Sequence, residues 1–230
     1  MTKDIVSILE RPVYGVAEAA GLLGLRPDRA RAWLDGYERQ GVVYAPVIRL
    51  EHTGDEVVTW GEFVELGYLR EYRRNRVPLQ RLRPVIDELR REFKTPYPLA
   101  TAKPYIYDKE LVLELQERND LPQSIAIVIS TGQTIALATG AQRFFKKVEF
   151  DPPGDGDVRR LRPAGAASPV VIDPLVRFGR PTVHGVATER LWELHDAGEA
   201  VEEIADGYDM TEELVRAAVA YEEQQRSLAA

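Results

Sequence analysis

The chain has 230 residues, 44% of them hydrophobic and 29% charged, with 37 acidic side chains against 30 basic ones and no cysteine. That balance excludes a disordered chain and a fibre. The lack of cysteine excludes a disulfide framework, thiolate metal sites and thiol catalysis, and it fits a reducing cytoplasm. No apolar run approaches the roughly 18 residues a membrane span needs, and residues 1–10 lack the basic-then-apolar order of a secretory signal. A soluble cytoplasmic protein with no membrane partner is expected.

In chain order, Tyr14 to Tyr37 reads as two short helices. Val16, Ala19, Ala20 and Leu23 form the apolar face of the first. Gly24 suits its left-handed stop, and Pro27 suits the first turn of the second. Ala30, Trp33, Leu34 and Tyr37 give the second helix its buried stripe and leave Arg26, Asp28, Arg29 and Arg31 outside. This is a helix-turn-helix candidate. Val42–Leu50 and Val57–Trp60, joined by His52-Thr53-Gly54-Asp55, are expected to pair as a hairpin wing. Thr59 with Glu62 three residues later is a capping box, so a helix starts near Trp60. Pro78 opens another, reaching about Phe93.

Thr95-Pro96-Tyr97-Pro98 breaks helical structure and marks a boundary. Beyond it, residues 105–107, 111–115, 124–130 and 134–138 are strand candidates, with a turn at 131–133. Lys146–Phe150 and Val158–Leu161 can pair, and Val170–Ile172 is a last short strand. Asp173 to Gly185 is a connector. Val186–Ala197, the segment around Val201–Ala205 and a helix capped by Thr211 make a second helix-turn-helix-like unit. The fold class is α+β: a winged helix-turn-helix over 1–95, a β-rich middle over 96–172 and a three-helix unit over 173–230.

Charge is unevenly placed. Residues 1–100 carry 16 basic and 15 acidic side chains, while 101–230 carry 14 and 22. Arg70 to Lys94 holds nine basic residues against four acidic ones. Arginine is well shaped for phosphate oxygens. A helix beginning at Pro27 presents Asp28, Arg29 and Arg31 to a major groove, with Arg26 near phosphate. Arg49 and His52 on the wing reach backbone or minor groove, and the arginine run from Arg70 to Arg83, with Arg73, Arg74 and Arg76 in it, adds contacts that do not depend on sequence. Double-stranded DNA is therefore the expected partner, bound by a dimer reading two half-sites.

No phosphate-binding glycine loop, dinucleotide fingerprint or nucleophile-elbow serine is present. His52, His184 and His195 make no metal pair at helical spacing, and Asp151, Asp155 and Asp157 miss the calcium-loop pattern. Neither a metal nor a cofactor is expected. An enzyme reading, a hydrolase using His184 or His195 with Asp173, needs a converging pocket that the sequence does not demand. The expectation is no enzyme.

Two resemblances add to this reading. Gly15-Val16-Ala17-Glu18-Ala19-Ala20-Gly21-Leu22-Leu23-Gly24-Leu25-Arg26-Pro27, then Arg31 and Trp33, and later Val57 to Phe63, resemble the MerR-type winged helix-turn-helix over about residues 13–93. The Pro96/Pro98 break replaces the long dimerisation helix of that family and its effector-binding cysteines are absent, which argues against a metal sensor. Ile172-Asp173-Pro174, Phe178-Gly179-Arg180-Pro181, Val183-His184-Gly185, Val201 to Ala205 and Ala217 to Tyr221 resemble a small helical family of uncharacterised function, commonly encoded beside PIN-type ribonuclease toxins. Together the two ends resemble VapB-type antitoxins. The resemblance implies a type II antitoxin that binds its operator, represses its own operon and masks a PIN-type toxin, with Arg177 and Arg180 competing for the toxin's carboxylates. The alternative is a stand-alone transcription regulator.

Overall fold

The computed structural model describes residues 7–101, 142–151 and 156–229. The strand candidates between 105 and 138, the turn at 131–133 and Asp155 lie outside the described residues. The architecture is α+β, as expected. The chain divides into two units, Met1–Lys146 with Phe150–Val158, and Lys147–Glu149 with Arg159–Ala230. The described residues of the expected middle segment are shared between them.

In the first unit, β1 (Pro12–Gly15) leads into α1 (Val16–Leu22), followed by α2 (Pro27–Asp35). Gly24, at φ 59°, ends α1 in a Schellman motif: Leu25 N–H returns to Ala20 O at 2.8 Å and Gly24 N–H to Gly21 O at 2.9 Å. Pro27 stands at the first position of α2. Val16, Ala19, Ala20, Ala30, Trp33 and Leu34 are buried, so the two helices meet on their predicted apolar faces.

The hairpin is not where the sequence pattern put it. β2 (Tyr37–Arg39) pairs with β3 (Val42–Tyr44) directly after α2, while β4 (Val57–Thr59) pairs with β1. Tyr37 therefore leaves the helix, lies 47% exposed and stacks on Tyr44 at 4.6 Å. Gly36 makes this possible. Its φ is 75°, and a Cβ there would lie 2.3 Å from Tyr44 O. The connecting residues Gln40 and Gly41 both have positive φ, the backbone of a tight two-residue turn.

Residues 45–56 form a loop rather than a strand. Val47 and Ile48 are buried and donate their N–H groups to Trp33 O, each at 3.0 Å. The supposed wing turn is fastened instead to the end of α2, where the Asp35 carboxylate accepts from Thr53 N–H at 3.0 Å and Gly54 N–H at 3.3 Å. α3 (Trp60–Arg74) begins at the expected capping box, with Thr59 accepting from Glu62 N–H. Trp60, Phe63, Leu66, Tyr68, Leu69 and Tyr72 are fully buried and make α3 the spine of the unit. Each such side chain contributes about 1.5–3 kcal/mol of burial. α4 (Leu79–Phe93) follows Pro78 and buries Leu82, Val85, Ile86 and Leu89. α5 (Gln142–Phe145) packs Phe144 edge-on against Tyr68 at 4.9 Å.

β5 (Val148–Phe150) pairs with β6 (Val158–Leu161), as the sequence suggests. In the second unit, Val171 and Ile172 form isolated bridges, to Thr182 and Leu161, in place of a full strand. The expected connector holds a hairpin of β7 (Thr182–Val183) and β8 (Val186–Ala187), which delays α6 to Thr188–Asp196. α7 (Val201–Gly207) and α8 (Glu212–Ala229) complete a small core of Val170, Val183, Leu191, Ile204, Val215, Ala218 and Tyr221. Trp192 packs at the edge of that core, with the Arg226 guanidinium 3.5 Å above its ring.

Candidate nucleic-acid interface

The exposed side of α2 carries Arg26, Asp28, Arg29 and Arg31, as the helical spacing predicts. Three of these charges are partly compensated. Arg26 Nη2 pairs with Asp28 at 3.0 Å, and Arg31 holds both carboxylate oxygens of Glu56 at 2.8 Å. The hydrogen bond from Arg31, reinforced by its charge, holds the Glu56 carboxyl below its ordinary range; the same bond raises Arg31. Arg29 forms no ion pair among the described residues.

Arg29 and Trp33, one turn apart on α2, line a cleft of about 390 Å³ together with Gly24, Leu25, Arg70, Arg73 and Arg74. Two elements thus bring four guanidinium groups to one concavity. Glu71 answers only part of that charge, at 3.2 Å from Arg70 and 3.6 Å from Arg74. Arg73 donates to Val77 O at 2.7 Å, which fixes its direction without neutralising it. Burial pulls the Arg70 guanidinium below its ordinary pKa; Glu71 opposes this and the like charge of Arg74 adds to it. A site with surplus guanidinium charge gains from a bound anion, and the planar fork of arginine matches phosphate oxygens. Gly24 belongs to the site for a steric reason. A Cβ there would stand 3.1 Å from Arg70 Nη2.

Other expected contacts are placed differently. Arg49 is a correction, because it is 8% exposed and is spent inside the protein. Its Nε donates to Glu62 at 2.8 Å, Nη1 to Asp35 at 2.7 Å and Nη2 to Val57 O at 2.8 Å. Burial opposes ionisation of Asp35, but the Thr53 and Arg49 hydrogen bonds outweigh it and hold the carboxyl low. His52 is exposed, on the Asp35-fastened loop rather than a wing, with Nδ1 3.1 Å from Asp35 O. Arg76 is exposed just beyond α3, at φ 63°. Arg39 was not among the expected contacts. Arg39 is exposed at the tip of the true hairpin, and Gly36 with Gln40-Gly41 was the signal that could have placed it. A second cleft, of about 310 Å³, is lined by Arg49, Asp55, Glu62 and Tyr97, among others. Arg49 and Glu62 there already satisfy each other.

In the second unit Arg177 and Arg180 are exposed. Arg177 Nε donates to Gly185 O at 3.4 Å, and Arg180 lies 3.8 Å from Glu189. Asp173, offered to a hydrolase, is buried and occupied by Arg159 at 3.3 Å. His184 sits in the β7–β8 turn at φ 50°, and His195 is in the last turn of α6. Among the described residues no group of three or more His, Asp or Glu side chains is placed to hold a metal, and no helix is long and apolar enough to cross a membrane.

Comparison with known proteins bears on both units. Residues 12–86 match the family described as "Putative DNA-binding HTH domain", and residues 170–221 match "Protein of unknown function (DUF433)". Residues 12–86, within the first unit, thus form a helix-turn-helix domain of a type described as DNA-binding. The chain is 34% identical to "Uncharacterized protein Rv2308" of Mycobacterium tuberculosis, across 97% of this chain and 95% of that protein. It is 29% identical to "Putative antitoxin VapB45" of the same organism, across 90% and 92%. The crystal structure of Rv2018 from M. tuberculosis shares the fold, with a TM-score of 0.67 at 23% identity, covering 90% of this chain and 97% of that one.

Proposed function

This chain belongs to the family of the mycobacterial protein Rv2308, and from that premise we propose that it is the antitoxin of a type II toxin–antitoxin pair. It acts without enzymatic activity or cofactor in the cytoplasm. The first unit, MerR-like with the β2–β3 hairpin as its wing, binds operator DNA as a dimer and represses its own operon. The remainder neutralises a PIN-type ribonuclease toxin. The observation that carries the DNA half is the arginine cleft between α2 and α3. Arg29, Arg70, Arg73 and Arg74 would grip backbone phosphate while Asp28 and Arg31 face base edges and Arg39 follows the flank. The toxin half is supported by the likeness to VapB45 over nine-tenths of the chain.

The test is a mobility-shift titration on the DNA upstream of the chain's own gene. Substituting Arg29→Ala together with Arg73→Ala should weaken binding on the order of tenfold and make the slope of log K against log salt shallower by about 2. Unchanged affinity and slope would remove the cleft from the interface.

A further inference from the structure

The second unit holds a loop that lies outside the proposed DNA-binding cleft. Arg177, Phe178 and Gly179 are successive residues at φ 48°, 57° and 80°. Two of the three carry a Cβ, for which the left-handed region is unfavourable. Surrounding bonds hold the loop there. The buried Asp173 carboxylate accepts from Leu175 N–H at 2.8 Å and is paired with Arg159. Val176 N–H donates to Asp173 O at 2.9 Å, Gly179 N–H to Val176 O at 3.0 Å and Arg180 N–H to Arg177 O at 3.1 Å. A fastened backbone therefore holds Phe178 77% exposed, with Leu175 49% exposed three residues earlier.

The charge around this ring runs against its surroundings. Residues 165–230 carry thirteen acidic and five basic side chains, and two of the five, Arg177 and Arg180, flank Phe178. Both are exposed. Nucleic acid is a poor occupant, because the acidic unit repels phosphate. A second copy is a poor one too, since a two-fold contact through this patch sets like guanidinium groups against each other. We propose that Phe178, assisted by Leu175 and collared by Arg177 and Arg180, is the anchor through which the second unit docks a partner protein offering an apolar pocket rimmed by carboxylates. This rests on the antitoxin reading, with the toxin as that partner. A rigid aromatic in a desolvated pocket, ringed by complementary charge, is how a small contact carries most of an affinity.

The experiment uses the full chain and the protein encoded by the adjoining gene, with binding measured by calorimetry. Phe178→Ala should raise Kd at least about thirtyfold. Phe178→Gly, which suits the left-handed backbone and keeps the loop in shape, should give the same loss. Arg177→Glu with Arg180→Glu should weaken binding further at low salt than at high salt. Operator affinity should stay unchanged in all three variants. If the wild-type chain binds its neighbour and both Phe178 variants bind equally well, the anchor is overturned while the antitoxin reading stands. If the wild-type chain shifts operator DNA and does not bind its neighbour, both are overturned. If sedimentation shows that Phe178→Ala abolishes self-association instead, the ring belongs to a second copy and the proposal fails.

Discussion

Arg49 and the arginines of the α2–α3 cleft are the same kind of side chain in the same unit, and the structure uses them in opposite ways. Arg49 is surrounded by acceptors: Asp35, Glu62, Thr53 and two backbone carbonyls. Its charge is cancelled, and what it supplies is connection, from the end of α2 to the start of α3. Arg29, Arg70, Arg73 and Arg74 share one carboxylate, Glu71, between two of them. Their charge is left over. The count of basic residues therefore says little about phosphate binding, and the count of acids within reach says much more.

The contrast can be broken most forcefully at its buried end. Arg49→Ala leaves the Asp35 and Glu62 carboxylates without their partner, and should cost about 3–5 kcal/mol of folding stability by chemical denaturation. The Arg29→Ala/Arg73→Ala variant should stay within about 1 kcal/mol of wild type in the same assay. Similar losses in the two would show that cleft and hub do not differ in kind.

A smaller effect comes from a second buried pair. Burial pushes the Glu65 carboxyl up to about 7, against the opposing pull of Arg90 at 3.5 Å and a hydrogen bond from Leu99 N–H. The folded state therefore holds its proton more tightly than the unfolded state does. The associated stability is complete below about pH 4.5, falls as pH rises towards 7 and is gone above that, about 3 kcal/mol in all. Thermal denaturation across this window should show the decline in wild type and a flatter profile in Glu65→Gln. Equal slopes would mean that Glu65 stays ionised throughout.

The smallest effect sharpens the exposed end. Glu56→Ala frees Arg31 from its bidentate partner without touching the core. Operator affinity should rise about two- to fivefold with no measurable change in melting temperature. A drop in affinity would mean that Glu56 orients Arg31 for the groove.

What the sequence made legible were the features written in adjacent residues. Gly24 before Pro27, Thr59 with Glu62, and Pro78 each carry a start or stop signal within a few positions, and each marks its element. The hairpin was misplaced because Val42–Leu50 has a strand's composition, yet Pro46 interrupts it and Gly36 admits the turn that puts Tyr37 opposite Tyr44. Arg49 looked like a surface cation because its acceptors lie 13 and 14 residues away, at Glu62 and Asp35, where no local period reveals them. The cleft was half legible. The arginine run containing Arg70, Arg73 and Arg74 stood out, but its meeting with Arg29 is a fact of tertiary packing.

The tie between Asp35, Arg49 and Glu62 has one more consequence. It bolts the exit of one helix to the entry of the next, so the guanidinium groups those helices carry would meet a duplex with their mutual spacing already settled. Little freedom remains to be surrendered at the moment of association. The entropy of arranging the grip was spent once, when the chain folded.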